Sequence, residues 1–415
     1  MVRTMNLGTR AGFNTRAHLH NAEKQAKERG LDKILIVDAD SHHYENEWMT
    51  DIFRYVEDPV LRQTFLSNPG GKGSALLYNA ARNQFNAGRI LRYTKDRMES
   101  PEPGEHLDAT RARRQREAIG LDYQVVFPTP MLQLGLHPNP RVETALAWAY
   151  TRWWTEEVLP NDPGMRTMVY LPFRDPEASL RMIETFSESP GVIGFMVTST
   201  RFVAVHEDKY MPIYAALEER GMPLGFHAGF NQQDRLLEGM NRFLSVHAIG
   251  FVLNNLIHTT NLVINGIPER FPNLKLIIIE SGLAWIPFLM QRLDNEYLMR
   301  TNEAPLLKKR PSEYMAQNFY YTTQPLEMEN MQALELTLEM INAETQLMFA
   351  SDYPHWDFNL PSTIYDLPFL NREQKLNILG RNALEVFPIL KRDYEASSIR
   401  AHRPSVPPRN GAGHH

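Results

Sequence analysis

The sequence predicts a TIM (β/α)8 barrel with a long, partly helical insertion after its first strand. Three observations predict it: eight short apolar, β-branched runs of strand length, amphipathic segments of helical length between most of them, and ligand-type residues at the downstream ends of several runs. The runs fall at 34–40, 123–129, 167–172, 191–199, 223–229, 275–280, 319–323 and 347–352. The helical segments fall at 139–158, 176–187, 207–220, 241–267, 283–300 and 326–343. This is the alternation of parallel strands joined by crossover helices. Near-continuous runs such as Leu276-Ile277-Ile278-Ile279 fit strands buried on both faces. In such a barrel the chemistry sits at the C-terminal strand ends, where Asp40, His42, His227, Glu280 and Asp352 all fall.

The predicted barrel spans 31–395, preceded by an N-terminal extension, 1–30, and followed by a tail, 396–415, that is Arg-, Pro- and Gly-rich without apolar periodicity and is expected to be disordered. About eighty residues separate the first two strands, too many for a plain loop. Within this insertion, 46–118, Trp48 to Phe65 reads as helical, while 68–73 and 101–104 read as breaks. The insertion emerges on the active-site face, so it is either a lid or a packing elaboration.

Composition narrows the function. Of the 415 residues, 43% are apolar, which is ample for a large core, and the net charge of −5 comes with acids and bases mixed throughout. No basic stripe for nucleic acid or polybasic anchor for a lipid surface stands out, so the expected partner is a small molecule. With no cysteine, any metal must be held by His and carboxylate. Met1 to His20 carries Arg3, Arg10 and Arg16 without an apolar signal region, and no run of about 18 apolar residues occurs, so a soluble, cytoplasmic protein is expected. A homo-oligomer is left open.

The first run empties into Asp38-Ala39-Asp40-Ser41-His42-His43-Tyr44-Glu45. Asp40 and His42 are two apart, which on an extended strand puts both on one face. Alone, Asp-x-His is more often a capped turn or polar pair than a metal site. His227, in Phe226-His227-Ala228-Gly229, and Asp352, in Ser351-Asp352-Tyr353-Pro354-His355, repeat the pattern of an apolar run ending in a ligand-type residue and a Gly or Pro turn. Together they form a mixed His and carboxylate set suited to a divalent ion.

Asp40-x-His42-x-x-Glu45, His227, Glu280-Ser281-Gly282-Leu283-Ala284-Trp285 and Ser351-Asp352-Tyr353-Pro354-His355, with the supporting stretches 120–129, 212–221 and 268–275, resemble the amidohydrolase-related family (amidohydrolase 2) of metal-dependent TIM-barrel hydrolases. The resemblance implies a divalent cation (Zn, Mn or Fe) on Asp40, His42, His227 and Asp352, and hydrolysis of C–N or C–C bonds or decarboxylation of aromatic acids. Two departures stand out: Asp40 where many members have His, and Glu280 at the sixth strand where decarboxylating members usually have His. Glu280 can serve as a general base, a second-metal ligand or a hydrogen-bonding partner of the ligands, and Glu45 can join it around a second ion.

The other candidates each have a structural alternative. His247 follows the loop after the fifth strand and can reach substrate or make a structural hydrogen bond. His258, eleven residues on, stands about 16 Å from it on one helix and reads as packing. His355 can point at the site or at the lid, and His43 alternates away from His42. Trp285, Tyr353 and Trp356 can form an aromatic wall, and Arg201 can pair a substrate carboxylate, against core packing and a surface ion pair respectively. The leading expectation is a hydrolase acting on a small cyclic or aromatic carboxylate or amide, with metal-activated water and Asp352 accepting its proton. The alternatives are non-oxidative decarboxylation of an aromatic acid, which the missing sixth-strand His weighs against, and a non-haem diiron oxygenase. A non-catalytic scaffold would be expected to have lost ligands, and all four primary positions are competent.

Overall fold

The computed structural model describes residues 15–67, 100–198, 203–229, 237, 239–355 and 357–397. Part of the insertion, 68–99, and the tail expected to be disordered, from 398, lie outside the described residues. Eight strands are present: β1 (Val37–His43), β2 (Tyr123–Pro128), β3 (Met165–Tyr170), β4 (Val192–Thr198), β5 (Leu224–His227), β6 (Leu276–Ile279), β7 (Phe319–Thr322) and β8 (Leu347–Met348). They pair in chain order, every neighbour parallel. The chain after β8 closes the ring against β1: Ala39 N–H donates to the Phe349 carbonyl, Asp352 N–H to Asp40 and His42 N–H to Tyr353, each at 2.8 Å. The predicted barrel is therefore present.

α1 (Thr15–Arg29) precedes the first strand, and between the strands run α2 (Met49–Arg54), α3 (Pro59–Leu66), α4 (Leu107–Ile119), α5 (Pro140–Trp153), α6 (Pro176–Phe186), α7 (Met211–Glu219), α8 (Phe243–Ile264), α9 (Ile267–Arg270), α10 (Trp285–Met299), α11 (Pro311–Asn318) and α12 (Met331–Met340). Several starts carry a local signal. Asp58, Asn139 and Asp175 each cap a helix with their side chain and are each followed by Pro, whose missing N–H costs nothing in a first turn. The outer helices bury their inner faces on strands that are themselves almost wholly buried, as a two-sided parallel sheet requires. Among the described residues no helix is long and apolar enough to cross a membrane.

One boundary departs from expectation in a way that matters. β1 begins three residues later than 34 and runs past 40, because Ser41, His42 and His43 still pair with Val126, Phe127 and Pro128 of β2. Asp40 and His42 are thus held inside a strand bonded on both edges. His43 faces the other way, as the alternation predicts. Its Nδ1 lies 3.0 Å from Asp108 Oδ2 on α4, its Nε2 2.8 Å from the Tyr150 hydroxyl on α5, and its ring stacks on Trp154. Trp48 donates its indole N–H to the same Asp108 at 2.8 Å, so both ends of the insertion are tied to the strand that carries the site.

Candidate metal centre

Two imidazoles are oriented by backbone carbonyls. His42 Nδ1 lies 3.2 Å from the Pro128 carbonyl and His227 Nδ1 2.9 Å from that of Ala228, which leaves both Nε2 atoms turned inward. His42 Nε2 stands 3.1 Å from Asp40 Oδ1 and 3.3 Å from Asp352 Oδ1, and His227 Nε2 stands 3.3 Å from Asp40 Oδ1. Asp40, His42, His227 and Glu280 each present a donor atom within 4.8 Å of the others, and His42, Asp352 and His355 form a second such group sharing His42. The set is dry: Asp40, His227 and Asp352 are fully buried and Glu280 is 4% exposed.

Such a cluster fits a cation and little else. Asp40 Oδ2, His42 Nε2, Asp352 Oδ2 and Glu280 Oε2 are buried without a hydrogen-bonding partner among the described residues, although a buried carboxylate left unsatisfied is costly. Oxygen and imidazole donors without thiolate suit a divalent ion such as manganese. Electrostatics agree. Burial pushes the Asp40 carboxyl up, but His227 and His42 outweigh it and hold it below the usual carboxylate range. Burial pushes His42 down, but Asp40 and Asp352 raise it to about 10, so without a cation His42 keeps a proton where a ligand needs a lone pair. Glu280 goes the opposite way: burial first, then the Asp352, Asp40 and Asp357 charges, hold its carboxyl well above the ordinary range.

The backbone around these acids is strained. Glu280 and Asp352 have φ of 56° and 57°, in the left-handed region that side-chain-bearing residues seldom adopt. Glu280 directly follows β6 and Asp352 lies four residues past the end of β8. Gly282, at φ 65°, completes the turn after β6, where a Cβ would collide with the Glu327 carboxylate that accepts the Leu283 N–H. Beneath the cluster, Asp38 accepts Ser351 N–H at 2.8 Å and the Ser351 hydroxyl at 2.5 Å, joining β1 to the chain after β8. Burial raises Asp38 to about 8, so it braces the ring largely as a neutral acid.

The other candidates sort clearly. His355 turns inward: its Nδ1 is 2.7 Å from Asp352 Oδ1, its Nε2 is 3.2 Å from the Thr129 hydroxyl, and its ring stacks on His42 at 4.2 Å. His247 reaches Asp357, with Nε2 3.7 Å from Oδ2, and Asp357 is one of the charges acting on Glu280. His258 packs on Phe226 from the same continuous α8, and burial lowers it to about 4. Two expectations need correcting. Glu45 belongs to neither donor group, because its two oxygens are spent on the N–H groups of Thr129 (2.9 Å) and Met131 (2.6 Å). Trp285 forms no open wall: it is 8% exposed and donates its indole N–H to Ser281 and Gly282 carbonyls, holding the turn after β6. Tyr353 is likewise buried, with its ring edge against Phe358. Arg201 and Trp356 lie outside the described residues. Glu45→Gln should therefore cost about 1–2 kcal/mol of stability through a lost amide bond, leaving manganese stoichiometry unchanged in elemental analysis; a lost equivalent of metal would restore Glu45 to the ligands.

The sequence reading passes over Thr129, Asp357 and Asp38. The first stands right at the end of β2, where barrel chemistry is expected, and the second lies five residues past Asp352, so position alone could have nominated both.

A (β/α)8 barrel with a buried His and carboxylate cation site at the C-terminal face is a metal-dependent barrel enzyme. The chain belongs to the amidohydrolase family, whose model matches residues 37–389. It is similar to gamma-resorcylate decarboxylase of Rhodococcus jostii, 23% identical over 245 residues, covering 56% of this chain and 73% of that one. Its fold is similar to that of 5-carboxyvanillate decarboxylase from Sphingomonas paucimobilis (TM-score 0.59, 22% identity, 86% and 99% of the two chains). It is also similar to dihydroxybenzoic acid decarboxylase from Polaromonas, crystallised with manganese and 2-nitroresorcinol (TM-score 0.60, 18% identity, 86% and 98%). These relatives overturn the expectation of a hydrolase in favour of its decarboxylating alternative. Glu280 in place of a sixth-strand His does not exclude that alternative.

Proposed function

We propose that this enzyme is a metal-dependent, non-oxidative decarboxylase of a hydroxylated aromatic acid. The observation that carries the reading is Glu280, a buried acid whose carboxyl is held well above the ordinary range, set beside a cation site in a chain whose relatives are decarboxylases of gamma-resorcylate, 5-carboxyvanillate and dihydroxybenzoic acid. When bound, a divalent cation on Asp40, His42, His227 and Asp352 supplies positive charge that orients the substrate's carboxylate and adjacent ring oxygen. The residues do the rest. Glu280 gives its proton to the ring carbon bearing the carboxylate, forming a C–H bond. The C–C bond then breaks, its electron pair returns to the ring, and carbon dioxide leaves. Burial is the largest cause of the raised Glu280 carboxyl, and it does not depend on the neighbouring charges. Asp352 holds His355 against His42, and Asp357 with His247 surrounds Glu280 from the mouth.

The test is anaerobic incubation of manganese-loaded protein with 2,6-dihydroxybenzoate (gamma-resorcylate) and with 5-carboxyvanillate. Stoichiometric carbon dioxide and the matching phenol from at least one acid is the expected result; turnover only with oxygen, or none on any acid, sinks the reading.

A further inference from the structure

A helix on the rim of a barrel normally turns its apolar residues inward and its charged ones toward water. α8 does the reverse. It runs 22 residues without one Asp, Glu, Lys or Arg, whereas each of the other eleven helices named above carries at least one. Its polar side chains go in: Asn254, Asn255, His258 and Thr259 are all buried. Apolar ones go out: Leu244 is 77% exposed, Ile249 and Ile257 are each 40% exposed, and Ala248 is exposed beside them. The helix cannot rotate to hide them, because the Asn255 amide donates to the Phe226 carbonyl at 3.2 Å and to the Ser281 hydroxyl at 2.6 Å, pinning α8 to the ends of β5 and β6.

The apolar face continues onto the neighbouring helix. α10 packs beside α8 and exposes Phe288, Leu298 and Met299, of which Phe288 and Met299 are eleven residues apart and so share one side of it. Leu306 packs over Gly266, two residues past α8, and is exposed as well. Seven of the eleven large exposed apolar residues among the described ones therefore lie on this side of the barrel; the other four are on α3 and α12. Together the seven present on the order of 700 Å² of apolar surface, above the roughly 300–600 Å² of the largest patch on a typical monomer and near the ~800 Å² that each partner gives to a stable interface. A helix that is apolar on its outer side as well as its ends calls for a cover.

Charge selects the cover. A twofold contact lays one patch on its own copy, so any charge near the axis meets its like; the outer face of α8 has none. A helix that lies on a lipid surface instead flanks its apolar stripe with Lys and Arg, which α8 lacks. We propose that the α8 and α10 face is the interface through which two copies of this chain associate, with α8 packed on α8 across a twofold axis. The contact does not depend on which reaction the site performs.

The test is sedimentation velocity of the full-length chain, comparing wild type with Ile257→Glu and with a control, Val60→Glu, whose residue is 72% exposed on α3 outside this face. Should Ile257→Glu lose its far-ultraviolet circular dichroism, Ile249→Glu takes its place. Wild type and Val60→Glu should sediment at twice the mass of one chain or a larger even multiple, and Ile257→Glu at half that mass, because the axis would bring two unpaired carboxylates into one apolar contact. Wild type that stays monomeric at micromolar concentration overturns the proposal, as does an oligomer that both α8 variants leave intact. Wild type that is monomeric in water and floats with phosphatidylcholine vesicles also overturns it, and makes the face a lipid contact.

Discussion

Glu280→Gln should reduce decarboxylation by about 10²- to 10⁴-fold while the protein stays folded and keeps its manganese, since a positioned general acid contributes on that scale and the amide preserves shape. The carboxyl it replaces is nearly buried, flanked by three carboxylates, and held on a left-handed turn that the barrel over-determines. Because burial raises its carboxyl, Glu280 should hold its proton to higher pH than an ordinary carboxylic acid, and wild-type turnover should fall as pH rises through that raised range. Steady-state rates across pH, with elemental analysis of both proteins, read the result. A variant that loses manganese in step with activity would make Glu280 a ligand, and one that keeps near wild-type rates would remove it from the chemistry.

Manganese should bind more tightly as pH rises, by up to about tenfold per unit, and release close to one proton. The cause is His42, which Asp40 and Asp352 hold protonated up to about 10 in the ion-free site, while coordination requires the Nε2 lone pair. The sign follows: below about 10 a cation must displace a proton, so each fall in pH weakens binding. Calorimetry at pH 6 to 9, repeated in buffers of different ionisation enthalpy, measures affinity and proton count together. Binding indifferent to pH, with no proton released, would show that His42 is not a ligand.

Much of the site was legible before any coordinates. Residue type and strand-end position suffice for Asp40, His42, His227, Glu280 and Asp352, because a parallel barrel delivers every C-terminal strand end to one mouth. Legibility failed where the side chain has choices that only its neighbours settle. Glu45 is chemically a competent ligand, but the N–H groups of Thr129 and Met131, 84 and 86 residues away, claim both oxygens. His355 could point either way until Asp352 and Thr129 fixed both ring nitrogens. The reaction class was not legible for a related reason: residue identity says that Glu280 is an acid, but only its burial among other acids holds its carboxyl well above the ordinary range.

What the chain by itself determined is the barrel and the inventory of donors, since hydrophobic period, helix caps and strand-end residues are local properties of the sequence. What only tertiary structure decided is each acid's state of charge. Asp40 is held ionised by two imidazoles, Asp38 is largely neutral over Ser351, and Glu280 is pushed well above the ordinary carboxylate range, although all three are buried carboxyl groups. Ionisation depends on desolvation and on which charges stand within a few ångströms, and those neighbours come from strands far apart in the chain.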